Sequence, residues 1–479
     1  MDPFQENQAR VTRRQLFGRT ASGVGIAALA TLLGKDASAA QPGLPGLPHV
    51  AGKADRMIYL WQGGGPSHLD LFDPKPTLEK YRLQDLPASV RGTTRLSTMT
   101  AGYKKWPVLP AVKPYKKWGK SGLEISTLLP FTGEIADDIC LVRSMHTEAV
   151  NHAPGVTFFL TGSQVPGRPS LGAWLAYGLG AAADNLPAFV VMTSSDKARS
   201  CGQLFYDYYW GSGFLPSKYQ GTRFRASGDP VPYLANPAGV SREARRSLLD
   251  GIQELNRQHL AEYGDPEIDT RIAQYEMAFQ MQSSVPGLLD FRDEPKHVLE
   301  SYGPQVHEPG TFARHCLIAR RLVERGTRFV QLMHSGWDQH SNLFSHFETQ
   351  CKDTDQPSAA LVKDLKRLGL LDKTLVVWGG EFGRTPFGQG PAEKPNGRDH
   401  FGRAFSLWMA GGGVKGGHVH GATDDFAWNI AKDGVHVHDH QATILHLLGI
   451  DHKRLTFRHQ GRQYRLTDVH GEVVKGVLA

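Results

Sequence analysis

The chain has 479 residues, of which 40% are hydrophobic and 21% charged, with a formal net charge of +7 at pH 7. This composition excludes an intrinsically disordered protein, and the length suits one large α/β domain or two to three smaller ones. The basic residues are scattered, apart from two Lys-Lys-Trp copies at residues 104–106 and 116–118. We interpret these copies as solvated loops rather than as a patch for anionic polymers, and nucleic acid is not an expected partner.

The N-terminus has the three regions of a bacterial signal peptide. Arg13 and Arg14 precede an apolar run over residues 21–33, and the small residues Ala37-Ser38-Ala39 follow it. The paired arginines predict a twin-arginine signal peptide over residues 1–39, followed by a linker over residues 40–54. The expected location is periplasmic or extracellular. No other stretch is apolar enough for a transmembrane anchor.

Residues 55–479 are predicted to form one α/β domain. Six apolar runs fit buried strands: Met57–Trp61, Ile139–Val142, Ala188–Met192, Arg328–Met333, Thr374–Trp378 and Phe405–Ala410. Three amphipathic segments fit helices: Thr311–Arg325, Ser358–Gly369 and Asp439–Leu448. This alternation predicts a mostly parallel central sheet with helices on both faces. A Tyr-, Gly- and Pro-rich loop and a helical pattern predict an insertion at about residues 200–300.

Candidate site residues follow the predicted strands, where each strand ends. The first strand is followed by three glycines and then by His68 and Asp70. The fourth is followed by Asp338 and His340, two residues apart in a loop. Because ligands of open parallel sheets bind beyond the carboxyl ends of the strands, these side chains are expected at a common edge. Imidazole and carboxylate groups together are typical of sites for zinc or a similar ion.

Two later strands carry the same pattern. Glu381 and Arg384 follow the strand at 374–378, and Arg398 and His400 precede the strand at 405–410. One such histidine is more often a surface residue than a ligand, but a carboxylate or imidazole at several consecutive strand ends indicates one convergent site. The further histidines up to residue 470, including His418, His420, His436, His438 and His440, are interpreted as mostly exposed. Asp439 is interpreted as the N-cap of the last helix.

Five motifs, taken together in this order, resemble one bacterial family. They are Arg143-Ser144-Met145-His146, Pro169-Ser170-Leu171-Gly172-Ala173-Trp174, Gly336-Trp337-Asp338, Glu381-Phe382-Gly383-Arg384-Thr385 and Gly397-Arg398-Asp399-His400. The family is known as domain of unknown function 1501, is abundant in planctomycetes, and is grouped by similarity with alkaline phosphatases and sulfatases. The resemblance covers roughly residues 55–479 and implies an α/β fold of the alkaline phosphatase–sulfatase type.

The resemblance also implies a metal site and a nucleophile position. Asp338, His340 and His400 resemble the aspartate and two histidines of a phosphatase zinc site, although the Asp-to-His spacing is shorter here. Sulfatases carry a Cys/Ser-x-Pro-x-Arg motif that continues into Leu-Thr-Gly. In this chain His152 stands where that nucleophile would, ahead of Leu160-Thr161-Gly162.

The remaining roles follow from the same resemblance. Glu381 matches a metal-binding aspartate, and His68, Asp70 or His152 would complete a second site or the first one. Arg384 or Arg398 would neutralise an anionic substrate. The implied cofactor is a divalent metal, with zinc favoured and calcium or manganese as alternatives.

The expected function is an exported, metal-dependent hydrolase of phosphate or sulfate esters, acting on a small molecule or a glycan. Because no Ser, Thr or Cys stands at the nucleophile position, the usual step is replaced by a metal-activated hydroxide or by His152 itself. The alternative is a non-catalytic exported binding or cell-surface protein that keeps the fold. The oligomeric state and the pairing of Cys140, Cys201, Cys316 and Cys351 are left open.

Overall fold

The central sheet is built from apolar segments whose side chains are buried on both faces. The computed structural model describes residues 43–94, 96–194, 205–225, 231, 234–236 and 239–479. Arg56–Gln62, Phe329–His334 and Thr374–Gly379 are strands, and after Arg56 every residue in them is buried. Such runs are typical of parallel strands that are covered by helices on both sides.

The elements are numbered here in chain order. The strands of the described residues are β1 (Arg56–Gln62), β2 (Tyr115–Trp118), β3 (Leu123–Ser126), β4 (Ile139–His146), β5 (Phe189–Ser194), β6 (Thr222–Phe224), β7 (Phe329–His334), β8 (Thr374–Gly379), β9 (Gly383–Gln389), β10 (Gly397–Phe401), β11 (Phe405–Ala410), β12 (His418–His420), β13 (Ala422–Thr423), β14 (Ile430–Lys432), β15 (Val435–His436), β16 (Phe457–His459) and β17 (Arg462–Tyr464). The α-helices are α1 (His68–Leu71), α2 (Pro76–Lys80), α3 (Ala88–Arg91), α4 (Pro130–Glu134), α5 (His152–Thr161), α6 (Leu171–Leu179), α7 (Arg242–Tyr263), α8 (Pro266–Leu289), α9 (Lys296–Ser301), α10 (Phe312–Glu324), α11 (Leu343–Arg367) and α12 (Val437–Leu447).

One strand of the large sheet runs against the others. The strand order is β12-β4-β11-β8-β1-β7-β5-β6, and β15 also pairs with β4. Strand β11 is antiparallel to both of its neighbours, β4 and β8, whereas the other pairings of this sheet are parallel. The amino end of β11 therefore lies at the same edge as the carboxyl ends of the parallel strands.

The two faces of the sheet pack into two separate apolar cores. Ile58 and Leu60 of β1 belong to the core that contains buried residues of α10 and α11. Tyr59 and Trp61 belong to the opposite core, with buried residues of α5, α6 and α12. Successive strand residues point to opposite faces, so β1 contributes to both cores. The predicted mostly parallel sheet with helices on both faces is confirmed.

The region of the predicted insertion contains a helical hairpin. Helix α7 begins at the N-cap Ser241, whose side chain accepts a hydrogen bond from the Ala244 N–H, and ends at Gly264 in the left-handed conformation. Near the end of α8, Val285 and Leu288 are completely buried in the core shared with α10 and α11. The hairpin is therefore anchored to the sheet through the end of α8.

Two helix boundaries differ from the sequence prediction. Helix α11 begins at Leu343, well before the predicted Ser358, and it continues through Pro357. The prediction that Asp439 caps α12 was wrong. His436 is the N-cap, and Asp439 accepts a hydrogen bond from the His436 N–H at 3.1 Å, which completes a capping box.

The interpretation of the C-terminal histidines as mostly exposed was also wrong. His420, His438 and His440 are buried. His440 packs against Phe159 of α5, with ring centroids 5.4 Å apart. His418 and His436 are partly exposed, so the alternation of these histidines does not reveal which of them are buried.

The segment before the sheet is bonded to the rest of the fold. The Leu44 N–H donates to Gly178 O at 2.8 Å, and the Lys53 N–H donates to Leu447 O at 2.8 Å. The signal peptide predicted over residues 1–39 lies outside the described residues. Within the described residues, none of the helices has the length and apolar character needed to cross a bilayer. Cys140, Cys316 and Cys351 are free and buried, and Cys201 lies outside the described residues.

Candidate metal centre

Four connections bring the predicted side chains to the carboxyl edge of the sheet. Asp338 and His340 follow β7, and Glu381 follows β8. His400 lies in β10, just before β11, and His152 is the first residue of α5, after β4. Because β11 runs antiparallel, the residues that lead into it arrive at the edge where the parallel strands end.

Asp338 and three histidines form a tight cluster there. His152, Asp338, His340 and His400 offer ligand atoms that all lie within 4.8 Å of one another. Asp338 Oδ1 is 3.2 Å from His152 Nε2, 2.9 Å from His340 Nε2 and 3.3 Å from His400 Nε2. The side chains of His152 and His340 are 13% and 18% exposed, against 2% for Asp338. Solvent therefore reaches the cluster on the side of these two rings.

The other ring nitrogen of each histidine faces an oxygen acceptor. These pairs are His152 Nδ1 with Glu381 Oε1 at 2.6 Å, His340 Nδ1 with Gln389 Oε1 at 2.6 Å, and His400 Nδ1 with Val150 O at 3.1 Å. An acceptor at this position holds the ring proton on Nδ1 and leaves Nε2 unprotonated. Metal-bound imidazoles are oriented in the same way, with the distal N–H bonded to a carboxylate or carbonyl.

With each ring proton on Nδ1, no hydrogen lies between the Nε2 atoms. His340 Nε2 and His400 Nε2 are 2.9 Å apart. His152 Nε2 is buried and has no hydrogen-bond partner in the described residues, although it lies 3.2 Å from Asp338 Oδ1. Lone pairs and a carboxylate at such distances repel one another unless a cation or an extra proton lies between them. Three imidazole nitrogens and one carboxylate oxygen fit zinc or a similar transition metal better than calcium, which prefers oxygen ligands.

The electrostatics of the cluster also favour a bound positive charge. Burial acts to raise the pKa of Asp338, but Arg384 and the bonded histidines outweigh it and hold that pKa well below its ordinary value. Burial lowers the pKa of His400 to about 4, so this ring is neutral near pH 7. Burial also acts to lower the pKa of His152, but its bonds to Asp338 and Glu381 outweigh burial and raise it.

The turn after β1 holds the outer residues of the cluster in place. The Gly64 N–H donates to Glu381 Oε1 at 2.9 Å, and Arg384 donates to the carbonyls of Gly64 and Gly65. Gly64 has φ +112, and a Cβ there would lie 2.7 Å from Asp338 N. The glycine is required both for its backbone conformation and for the close approach of the two loops.

Three other predicted residues lie outside the cluster. Asp70 Oδ2 accepts from Arg398 Nε at 2.8 Å, and Asp70 Oδ1 accepts from the Val112 N–H at 2.8 Å. Arg398 is completely buried in this pair. His68 is also buried, neither of its ring nitrogens has a hydrogen-bond partner in the described residues, and burial lowers its pKa to about 4.

Several contacts of the cluster were not predicted from the sequence. The side chain of Gln389 and the carbonyl of Val150 orient two of the rings, and nothing in the sequence distinguishes them. The Phe382 ring packs on His152 and His400, with centroids 4.9 Å and 5.0 Å away. Phe382 could have been suspected, because it is adjacent to Glu381.

The family predicted from the sequence motifs is confirmed by a comparison with family models. A family model described as "Protein of unknown function (DUF1501)" matches residues 54–478. None of the curated proteins compared with the chain matches it.

Three solved structures that are similar to this chain have low sequence identities and low TM-scores. The lipoteichoic acid synthase LtaP from Listeria monocytogenes is 9% identical with a TM-score of 0.34, covering 89% of this chain and 77% of that chain. The PsFucS1 sulfatase from Pseudoalteromonas sp. is 12% identical with a TM-score of 0.33, covering 83% and 68%. The alkaline phosphatase from the Antarctic bacterium TAB5 is 10% identical with a TM-score of 0.29, covering 75% and 92%.

Proposed function

The chain belongs to the DUF1501 family of proteins of unknown function, and we propose that this member is a metal-dependent hydrolase of phosphate or sulfate esters. The observation that carries the proposal is the convergence of three Nε2 atoms on Asp338 Oδ1, each ring held from behind by an oxygen acceptor. In this proposal His152, Asp338, His340 and His400 are the metal ligands, and zinc is the favoured ion.

The site is suited to an anionic substrate. His152 is the first residue of α5, so the amino end of this ten-residue helix faces the cluster. The exposed N–H groups and the dipole at a helix amino end favour negative charge. An ester of phosphate or sulfate would thus meet positive potential from the helix as well as from a bound cation.

Water is the proposed nucleophile. When bound, a divalent ion supplies Lewis acidity and makes a water molecule reactive near neutral pH. The motif resemblance aligns His152 with the sulfatase nucleophile, but both of its ring nitrogens face carboxylates, at 2.6 Å from Glu381 and 3.2 Å from Asp338. We therefore assign His152 to ligation and orientation rather than to attack. The Phe382 ring covers one side of the cluster and limits the access of bulk water.

The test is a panel of aryl phosphate and aryl sulfate esters, assayed with apoprotein and with zinc-, manganese- and calcium-loaded protein. Metal-dependent turnover is expected, and His152→Ala is expected to lose more than 100-fold in turnover together with bound metal, since it removes a ligand. The exposed histidine of α7 provides the control, because His259→Ala removes an imidazole far along the chain from the cluster. Bound metal without turnover on any ester would favour the alternative function, a non-catalytic binding protein.

A gain of activity in His152→Ser has a separate meaning. It would indicate a phosphatase-type site in which a hydroxyl nucleophile had been replaced by histidine. Wild-type metal content and rate in both His152 variants would exclude this residue from the site.

We also propose that the protein is exported by the twin-arginine route, with residues 1–39 as the signal peptide and residues 55–479 as the functional domain. The support is the order of Arg13-Arg14, the apolar run and Ala37-Ser38-Ala39 in the sequence. Cell fractionation of the double variant Arg13→Lys, Arg14→Lys tests the route. Delivery of this variant outside the cytoplasm would contradict it.

A further inference from the structure

Arg384 is a buried cation in contact with the carboxylate of the cluster. Its Nη2 lies 2.6 Å from Asp338 Oδ1, the same oxygen on which the three ring nitrogens converge. Each of its three nitrogens also donates to a main-chain carbonyl, and the acceptors are Gly64, Gly65, Trp337 and Arg398. The side chain is 2% exposed. Arg384 therefore cannot turn away from Asp338 to meet a substrate, which was the role expected from the sequence.

A second buried arginine engages the other acidic residue that was a candidate ligand. Arg398 Nε lies 2.8 Å from Asp70 Oδ2, and Arg398 Nη2 lies 3.2 Å from Asp70 Oδ1. Ser67 Oγ and the Val112 N–H donate to the same carboxylate. Both oxygens of Asp70 are thus engaged, and Asp338 is the aspartate that faces the cluster.

We infer that the centre takes a single divalent ion, and that Arg384 supplies the second positive charge at Asp338 as a fixed part of the protein. The inference rests on the proposed metal centre and sets the number of its ions. Asp338 Oδ1 already accepts from a guanidinium at contact distance, so a second dication sharing this oxygen would be repelled by Arg384. The carboxylate and the guanidinium cancel in charge. The charge of the single ion is then left largely available to an anionic ester.

Arg384 is, in this assignment, a positioning residue. It acts through Asp338, by drawing electron density from the oxygen that would bind the ion. A residue with this role affects turnover through the acidity of the ion. A residue that merely orients a ligand affects mainly the affinity for the ion, typically by about 10- to 100-fold.

The first experiment measures the number of ions. Apoprotein is dialysed to equilibrium against zinc or cobalt, and the bound metal is determined by elemental analysis and, for cobalt, by its visible absorption. One ion per chain is expected. Two ions per chain would overturn the inference and leave the proposed function standing, whereas no bound ion would overturn the proposed function itself.

The second experiment removes the guanidinium. Arg384→Met is expected to lower turnover by more than 100-fold while the zinc Kd stays equal or becomes tighter, because a repelling charge has gone. A zinc Kd weakened 10- to 100-fold would contradict the assignment and indicate a purely orienting residue. Arg320→Met is the matched control, because Arg320 is also buried and ion-paired, with Glu294 and Asp364.

A conservative variant keeps the test decisive if Arg384→Met does not fold. Arg384→Lys retains the positive charge with fewer donors to the carbonyls. It is expected to bind one cobalt ion with a visible spectrum like that of the wild type. Binding of a second ion by Arg384→Lys would overturn the inference.

Discussion

At the scale of single residues, Glu381 illustrates the difference between a candidate ligand and a residue that orients a ligand. The sequence suggested it as a ligand, but its Oε1 accepts from His152 Nδ1 at 2.6 Å and from the Gly64 N–H at 2.9 Å. Its Oε2 is buried and has no hydrogen-bond partner in the described residues. Glu381 is thus placed to fix the tautomer and the ring orientation of His152. It contacts Nδ1, whereas Nε2 is the atom that would bind the ion.

We predict that Glu381→Gln weakens zinc binding about 10- to 100-fold, since the amide can still accept from His152 but no longer carries a charge. The measurement is a competition titration against a chromophoric chelator. Glu348→Gln is the control, because that side chain is 47% exposed on α11. A loss as large as that in His152→Ala would instead identify Glu381 as a ligand.

At the scale of elements, the strands were predictable and the connections were not. All six predicted strands are present within a few residues of their predicted bounds, because buried parallel strands are short runs of apolar residues that the sequence reveals directly. The β9–β10 hairpin was not predicted. Its residues Arg384 and Arg398 are buried by ion pairs with Asp338 and Asp70, and such pairs depend on contacts between distant parts of the chain.

The candidate site was likewise predictable in part. The convergence of Asp338 and His340 could be predicted, because the ends of parallel strands meet at one edge. His400 was expected there too, but it reaches this edge because β11 is antiparallel, which the sequence did not indicate. The placement of His68 and Asp70 outside the cluster could not, since both lie in the connection after β1, as Asp338 and His340 lie in the connection after β7. Which side chain of a loop turns toward the site depends on the turn itself, and here three consecutive glycines allow many turns.

The turn after β1 carries its own prediction. Gly64→Ala is expected to weaken zinc binding and lower the melting temperature, because its Cβ would lie 2.7 Å from Asp338 N at φ +112. The control is Gly92→Ala, which has φ +54 and no atom within 4 Å of an added Cβ. Both variants carry the strain of an alanine at positive φ, which is about 1–3 kcal/mol. If the two lose the same stability and the same zinc affinity, the contact with the Asp338 loop has no energetic weight.

At the scale of the whole molecule, two buried histidines that are not members of the cluster make the fold sensitive to acid. Burial lowers the pKa of His315 to about 4 and that of His440 to about 3, from an ordinary value of 6.5. The folded state binds these protons less tightly than the unfolded chain does. Their contribution to stability is therefore present above pH 6.5 and is lost as the pH falls toward 4.

We predict that each of these histidines accounts for about 3 kcal/mol of the stability lost between pH 6.5 and pH 4. His440→Leu should flatten the pH dependence of the free energy of unfolding by about one proton over this range. His259→Leu, at an exposed position of α7, should leave the slope unchanged. Denaturant titrations of apoprotein across this pH range measure both, and an unchanged slope in His440→Leu would contradict the prediction.

The antiparallel course of β11 has a consequence for how the protein matures. It places His400 at the cluster late in the chain, whereas His152 enters near the first third. A nascent chain still on the ribosome cannot offer the four ligands together until β11 has emerged and inserted between β4 and β8. An ion at this cluster would therefore be bound only after most of the chain has been made, in whichever compartment folding finishes.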